Sequence, residues 1–189
     1  MSTNTNTQYD EPIFSTNISP SNPERDVHIN YLVTWSNIYA IPLLLYVTIS
    51  PIINWQLFTL AWLAVLASVL MHLSETKHGL PGVYPFNKFS NEFLWFDRIM
   101  AITSSVYLAN ILYNNWFYVS KFYIIYPIVG LMFNGVSELA DKGSLSSPNS
   151  GKRKYVFAIT HSIWHYFAYT FFFYVISNEC FMTSVQLIC

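Results

Sequence analysis

Five polar side chains suited to metal chemistry lie within or at the ends of apolar segments of this 189-residue chain. They follow the pattern Ser-x3-His near the end of one segment, Asp near the start of the next, and His-x3-His in the last. Ionisable groups at membrane depth are costly, and they persist mainly where they line a cavity, bind an ion or carry chemistry. The five residues are Ser68, His72, Asp97, His161 and His165.

The spacing of the histidines predicts a metal site. Residues four apart project from one face of a helix, so His161 and His165 can bind the same ion. Neutral imidazoles suit zinc, and three nitrogen ligands leave a fourth position for water, as in catalytic zinc sites. We therefore predict that His72, His161 and His165 hold Zn²⁺, which would lower the pKa of a bound water toward about 7.

The remaining two residues are the predicted catalytic groups. Asp97 would orient the water or act as general base, and Ser68 would make a supporting or oxyanion contact. A single histidine in a membrane segment is more often a packed, hydrogen-bonded residue than a ligand, but three of them with Asp and Ser favour a metal site. Two further histidines, His28 and His78, fall in polar stretches and are predicted to be solvated.

The composition is that of a membrane protein with a single domain. Hydrophobic residues make up 53% of the chain, aromatic residues 19% and charged residues 10%, against about 25% charged in ordinary soluble domains. The net charge of -1 gives no reason to expect a nucleic-acid partner. The two cysteines, Cys180 and Cys189, are predicted to be free thiols because they cannot form a cysteine-based metal site or a disulfide framework.

The elements that must position the five residues are predicted to be helices. The fold class is an all-α, polytopic transmembrane bundle with about five spans, between a disordered polar tail (1–29) and a short C-terminal tail (179–189). The bundle itself covers residues 30–178. Its predicted spans are 31–53, 55–73, 92–113, 116–136 and 155–176.

Five spans place the N-terminal tail and two basic loops on one side of an integral, multi-pass membrane protein. The positive-inside rule then predicts a cytosolic N-terminus. The second span ends on this side and the third and fifth begin there, so the parity of the chain brings all five polar residues to the same side. The sequence does not distinguish the ER, Golgi, plasma or viral membrane.

This motif set resembles the superfamily that unites alkaline ceramidases, progestin and adipoQ receptors and the myomaker-like (transmembrane protein 8) family. His161-Ser-Ile-Trp-His165 is similar to the ceramidase signature. A longer segment looks more like the myomaker-like branch. It runs from His72 through Gly79-Leu80-Pro81-Gly82 to Phe96-Asp97 and is followed by Ser104-Ser105. The resemblance implies a seven-helix zinc hydrolase, so five spans would be a truncated form whose cavity is smaller or is completed by a second subunit in a homo-oligomer.

Function follows from the motif and its resemblance. The leading hypothesis is a zinc-dependent intramembrane hydrolase of a lipid amide or ester, with ceramide-like lipids as the first candidates for the substrate. The alternative is a non-catalytic protein of myomaker type, in which the metal stabilises the helices and the activity is membrane remodelling or fusion. A metal-free receptor or proton relay is a third hypothesis.

Overall fold

A computed structural model describes residues 23–50, 55–114, 120–141 and 150–188 of the chain. Within these ranges the regular structure is entirely helical, so the all-α prediction is confirmed for the described residues. Short 3₁₀ turns link several of the helices. The α-helices are α1 (Pro23–Trp35), α2 (Ile41–Ile49), α3 (Trp55–Ser74), α4 (Ser90–Asn114), α5 (Ile125–Asp141) and α6 (Ser150–Ile188).

The first predicted span is divided into α1 and α2 by a 3₁₀ turn, Ser36–Ala40. The break coincides with Pro42, which lies in the first turn of α2 where its missing N–H leaves no hydrogen bond unmade. Helix α1 begins at Pro23, so the boundary predicted for the polar tail at residue 29 falls inside a helix. Residues 1–22 lie outside the described part of the chain.

Two helical segments among the described residues are long and apolar enough to cross a membrane, Asp26–Ile49 and Trp55–Ser74. A third, Ile125–Leu139, is apolar but shorter. Helices α4 and α6 have sufficient length, but tyrosine, asparagine, serine and charged side chains make them less apolar. Membrane association is thus supported by two helices, and the five-span topology stays a prediction.

In the second half of the chain, the ends of the helices differ from those predicted from the sequence. Helix α5 begins at Ile125 rather than at residue 116, which places Pro127 in its first turn, where no kink is required. Helix α6 continues to Ile188 and includes most of the segment predicted as a C-terminal tail. Residues 142–149 and Cys189 lie outside the described part of the chain, as does the side chain of Cys180.

Two of the three apolar clusters found among the described residues join α6 to the first half of the chain. The larger one joins α2, α3 and α6, and its buried members are Leu43, Val47, Leu57, Ala61, Phe172 and Ile176. The second joins α1, the α3–α4 loop and the start of α6, and its members are Ile29, Val33, Leu80, Phe157 and Ala158. Since α6 contributes to both clusters, its position is fixed along much of its length.

One end of the bundle, which we call the site end, contains the start of α1, the end of α3 and the starts of α4 and α6. Lys154 donates to Asp26 at 2.6 Å and joins α6 to α1. His78 of the α3–α4 loop stacks on Phe157 with ring centroids 3.9 Å apart. Chain parity predicted that these termini share one side, and the contacts within the described residues place them together.

Candidate metal centre

The three histidines predicted as metal ligands form one buried cluster at the site end. His72 lies in the last turn of α3, while His161 and His165 lie in the first half of α6. The ring centroids are 4.7 Å apart for His72 and His161, 5.1 Å for His72 and His165, and 4.8 Å for His161 and His165. One nitrogen from each ring lies within 4.8 Å of the other two, so the cluster can hold a metal ion.

The distance between the two closest nitrogens fits the geometry of tetrahedral zinc. Nε2 of His72 lies 3.4 Å from Nε2 of His165. Zinc–nitrogen bonds of 2.0–2.1 Å at tetrahedral angles separate two donor nitrogens by about 3.3–3.4 Å. These two imidazoles therefore already have the spacing that a shared ion requires.

Hydrogen bonds on the opposite ring nitrogens fix which nitrogen faces the cluster. The Ser36 hydroxyl donates its only hydrogen to the carbonyl of Val33 at 2.5 Å, and its Oγ lies 2.6 Å from Nδ1 of His165. The Ser36 oxygen must therefore accept a hydrogen bond from Nδ1–H of His165. That assignment leaves the lone pair of His165 Nε2 directed at the other two histidines.

His161 is held in the same way by α5. The Ser137 hydroxyl donates to the carbonyl of Asn134 at 2.7 Å, and its Oγ lies 3.5 Å from Nδ1 of His161. This longer contact again offers Nδ1 an acceptor. Ser137 of α5 thus offers an acceptor oxygen to Nδ1–H of His161, as Ser36 does to Nδ1–H of His165.

The third histidine is held by a carboxylate. Oε2 of Glu75 lies 3.2 Å from Nδ1 of His72, and this arrangement is the carboxylate–histidine pair that commonly supports a metal ligand. Burial alone would raise the pKa of Glu75, but hydrogen bonds with His72 and His78, together with electrostatic attraction to the same two rings, outweigh burial and lower the pKa to about 2. The Nδ1 contacts therefore leave the Nε2 atoms of all three imidazoles available at one buried point. A cation held there would relieve the repulsion between their lone pairs.

The prediction that His78 is solvated is wrong. Its side chain is 4% exposed, its Nε2 lies 3.3 Å from Oε1 of Glu75, and its ring stacks on Phe157. The loop turns back at Gly79 and Gly82, both with positive φ, and the turn carries the ring inward. His28, in contrast, is exposed, with its Nε2 2.8 Å from the Tyr155 hydroxyl.

The two predicted catalytic residues lie at different distances from the cluster. Ser68 is buried one turn before His72, and its Oγ lies 3.5 Å from Nε2 of His165. Asp97 lies on α4 and interacts electrostatically with His72 and Glu75. Asp97 does not belong to the set of donor atoms that converge within 4.8 Å. Its catalytic role, like that of Ser68, stays a prediction.

Several residues that support the site were not found from the sequence. Glu75 follows His72 by three positions and Tyr169 follows His165 by four, so a search along helix faces would have found both. Tyr169 donates to Oδ1 of Asn37 at 2.7 Å and thereby joins α6 to the 3₁₀ turn. Ser36 and Ser137 carry no such local signal, because each meets its histidine only through packing of distant segments.

Comparison with known proteins adds no relative. No protein-family model matches the chain, no curated protein matches it, and no solved structure matches it. The superfamily resemblance therefore stays a prediction that rests on a few motif positions.

Proposed function

We propose that the protein is an integral membrane hydrolase in which His72, His161 and His165 hold zinc for cleavage of a lipid amide or ester. The observation that carries this proposal is the convergence of three buried imidazoles whose Nδ1 atoms are each held by a separate oxygen. A packed core histidine needs no such matched set. The fit of the donors to zinc supports the cofactor, and the motif resemblance supports the reaction class.

The chemistry assigns distinct roles to the surrounding groups. His72, His161 and His165 would hold the zinc, which would supply an activated water near neutral pH and a Lewis acid for the carbonyl. Asp97, which interacts electrostatically with His72 but lies outside the donor set, would accept a proton from that water. Ser68, 3.5 Å from Nε2 of His165, would hold either the water or the developing oxyanion.

The exposed surface of the bundle gives support for a membrane location in addition to that from the two longest apolar segments. Large apolar side chains are exposed on α4, α5 and α6 as well as on α1 to α3. Such an extended apolar surface is unusual on a soluble monomer and marks contact with lipid or protein. Aliphatic examples on the three later helices include Ile99, Ile102, Val106, Ile128, Leu131, Met132, Val156 and Ile159.

A non-catalytic, metal-stabilised membrane-remodelling protein is the alternative, and one observation favours it. A largely apolar groove of about 410 Å³ lies between the first helical segment and α6, and none of its lining residues belongs to the metal centre. An acyl chain in this groove would lie beside the outer face of α6. The lining residues are Leu32, Tyr39, Ile159, Ser162, Ile163 and Tyr166.

Two measurements on the full chain purified in detergent test the proposal. Elemental analysis should find about one zinc per chain, and the double substitution His161→Ala with His165→Ala should remove it, whereas His28→Ala at an exposed position should not. Zinc content unchanged in the double variant would refute the site. Fatty-acid release from a panel of ceramides, phospholipids and acyl amides then separates the two functions, because a zinc-loaded protein that hydrolyses none of them supports the structural alternative.

A further inference from the structure

Glu75 connects a metal ligand to the loop that covers it. The residue directly follows α3, and its side chain is 5% exposed. One carboxylate oxygen lies 3.2 Å from Nδ1 of His72, and the other lies 3.3 Å from Nε2 of His78. The carboxylate therefore bridges the metal centre and the α3–α4 loop.

The backbone around Glu75 is held by α1 and by the loop itself. Nδ2 of Asn30 donates to the carbonyls of His72 at 3.0 Å and of Glu75 at 2.9 Å, which satisfies two carbonyls at the end of α3. The amide of Val83 donates to the carbonyl of Leu73 at 2.7 Å and closes the loop back onto the helix. The backbone that carries the carboxylate is thus held by contacts within the protein itself.

His78, the loop residue that contacts Glu75, adopts an unusual backbone conformation. His78 has φ of 58°, in the left-handed region that non-glycine residues rarely occupy. Its ring stacks on Phe157, whose own ring lies 5.3 Å from that of His161. The loop therefore touches both helices that supply metal ligands, because Glu75 contacts His72 of α3 and His78 contacts Phe157 of α6.

Glycine at position 82 allows this close return. A Cβ there would lie 2.8 Å from the carbonyl oxygen of Ser74, and φ is +65°. Leu80, between the two turns, is buried against Ile29 and Phe157. The loop is packed in place over the site.

We propose that Glu75 is a positioning residue of the metal centre. Its contact with Nδ1 of His72 directs Nε2 of His72 toward the ion. Its contact with His78 couples metal binding to the conformation of the 75–82 loop shown here. This inference rests on the metal centre proposed above. A buried carboxylate is costly unless it is matched by positive charge, and an ion on the far nitrogen of His72 would supply that charge. Coupling between two equilibria is reciprocal. If this loop conformation raises the affinity for the ion, binding of the ion stabilises this loop conformation by the same free energy.

Metal affinity is the first test. Partners of metal-binding histidines contribute about 10- to 100-fold in affinity. We expect Glu75→Ala to weaken Zn²⁺ binding in that range, measured by chelator competition on the full chain in detergent. Glu75→Gln should weaken binding less, because the amide oxygen can still accept from Nδ1–H. The matched control is Glu92→Gln, at an exposed carboxylate in the first turn of α4, which should bind as the wild type does.

Coupling to the loop is the second test. Added Zn²⁺ should slow amide hydrogen exchange at 79–83 in the wild type and should lose this effect in Glu75→Ala and in His78→Asn, since asparagine tolerates the backbone conformation but cannot make the same imidazole contacts.

The outcomes separate this inference from the proposed function. Equal Zn²⁺ affinity of wild type and Glu75→Ala, with circular dichroism showing both folded, would overturn the positioning role and leave the metal centre intact. Loop exchange unaffected by Zn²⁺ in the wild type would overturn the coupling. A wild-type chain that binds neither Zn²⁺ nor Co²⁺ would overturn the metal centre and this inference together.

Discussion

Ser36 and His165 are far apart in the chain, yet Ser36 Oγ lies 2.6 Å from Nδ1 of His165. The contact joins the 3₁₀ turn between α1 and α2 to the middle of α6. Because the hydroxyl hydrogen of Ser36 is donated to Val33, this contact determines the tautomer of His165. A break in the first helix is thus directly linked to the orientation of a candidate metal ligand.

Removing the Ser36 hydroxyl should weaken metal binding. In Ser36→Ala, Nδ1–H of His165 loses its acceptor and the ring can adopt the other tautomer, so we expect about a 10-fold lower Zn²⁺ affinity by chelator competition. Ser105→Ala removes an exposed hydroxyl on α4 and serves as the control. Equal affinity in both variants would show that Ser36 does not orient the ligand.

Asp97 is predicted to act on water rather than on the ion. Asp97→Asn should keep the zinc content of the wild type and lose roughly 10²- to 10⁴-fold in lipid hydrolysis, the usual contribution of a general base. Zinc content and turnover should be measured on the same preparation. If Asp97→Asn also lost its zinc, the carboxylate would be a ligand and the assignment to water would be wrong.

Two glycines of α5 should respond oppositely to alanine. A Cβ at Gly130 would lie 2.9 Å from a ring carbon of Trp164 and 3.1 Å from Cβ of Phe167, whereas one at Gly135 meets nothing within 4 Å. Gly130→Ala should destabilise the protein by about 1–3 kcal/mol through overpacking. Gly135→Ala should be neutral or stabilising by up to about 1 kcal/mol through helix propensity. Thermal unfolding in detergent compares the two, and equal loss of stability would argue against the α5–α6 packing.

Orientation in the membrane is testable by glycosylation. The basic residues at the site end predict a cytosolic N-terminus, although Lys154 is paired with Asp26 and so contributes less free positive charge. The native sequon Asn17-Ile18-Ser19 is followed by Pro20 and is a poor acceptor. An improved sequon in the N-terminal tail should therefore stay unmodified, while one added after Cys189 should be glycosylated. A glycan on the N-terminal sequon would reverse the topology.

Local spacing made the central part of the site predictable. The i,i+4 pattern fixes His161 and His165 on one face of a helix whatever surrounds that helix. Chain parity then predicts that His72 lies at the same end, and the structure brings the three together. Helix α3 was also predictable almost to the residue, because a long apolar run without proline or charge favours a single helix.

Tertiary structure decided what surrounds the ligands. The 3₁₀ turn at Ser36–Ala40, the inward rotation of His78 and the contact of Ser137 with His161 depend on segments distant in sequence. A serine or histidine in a polar stretch has the same local pattern whether it faces water or a buried imidazole. Periodicity determines which face of a helix a residue occupies, but only packing determines what lies opposite that face.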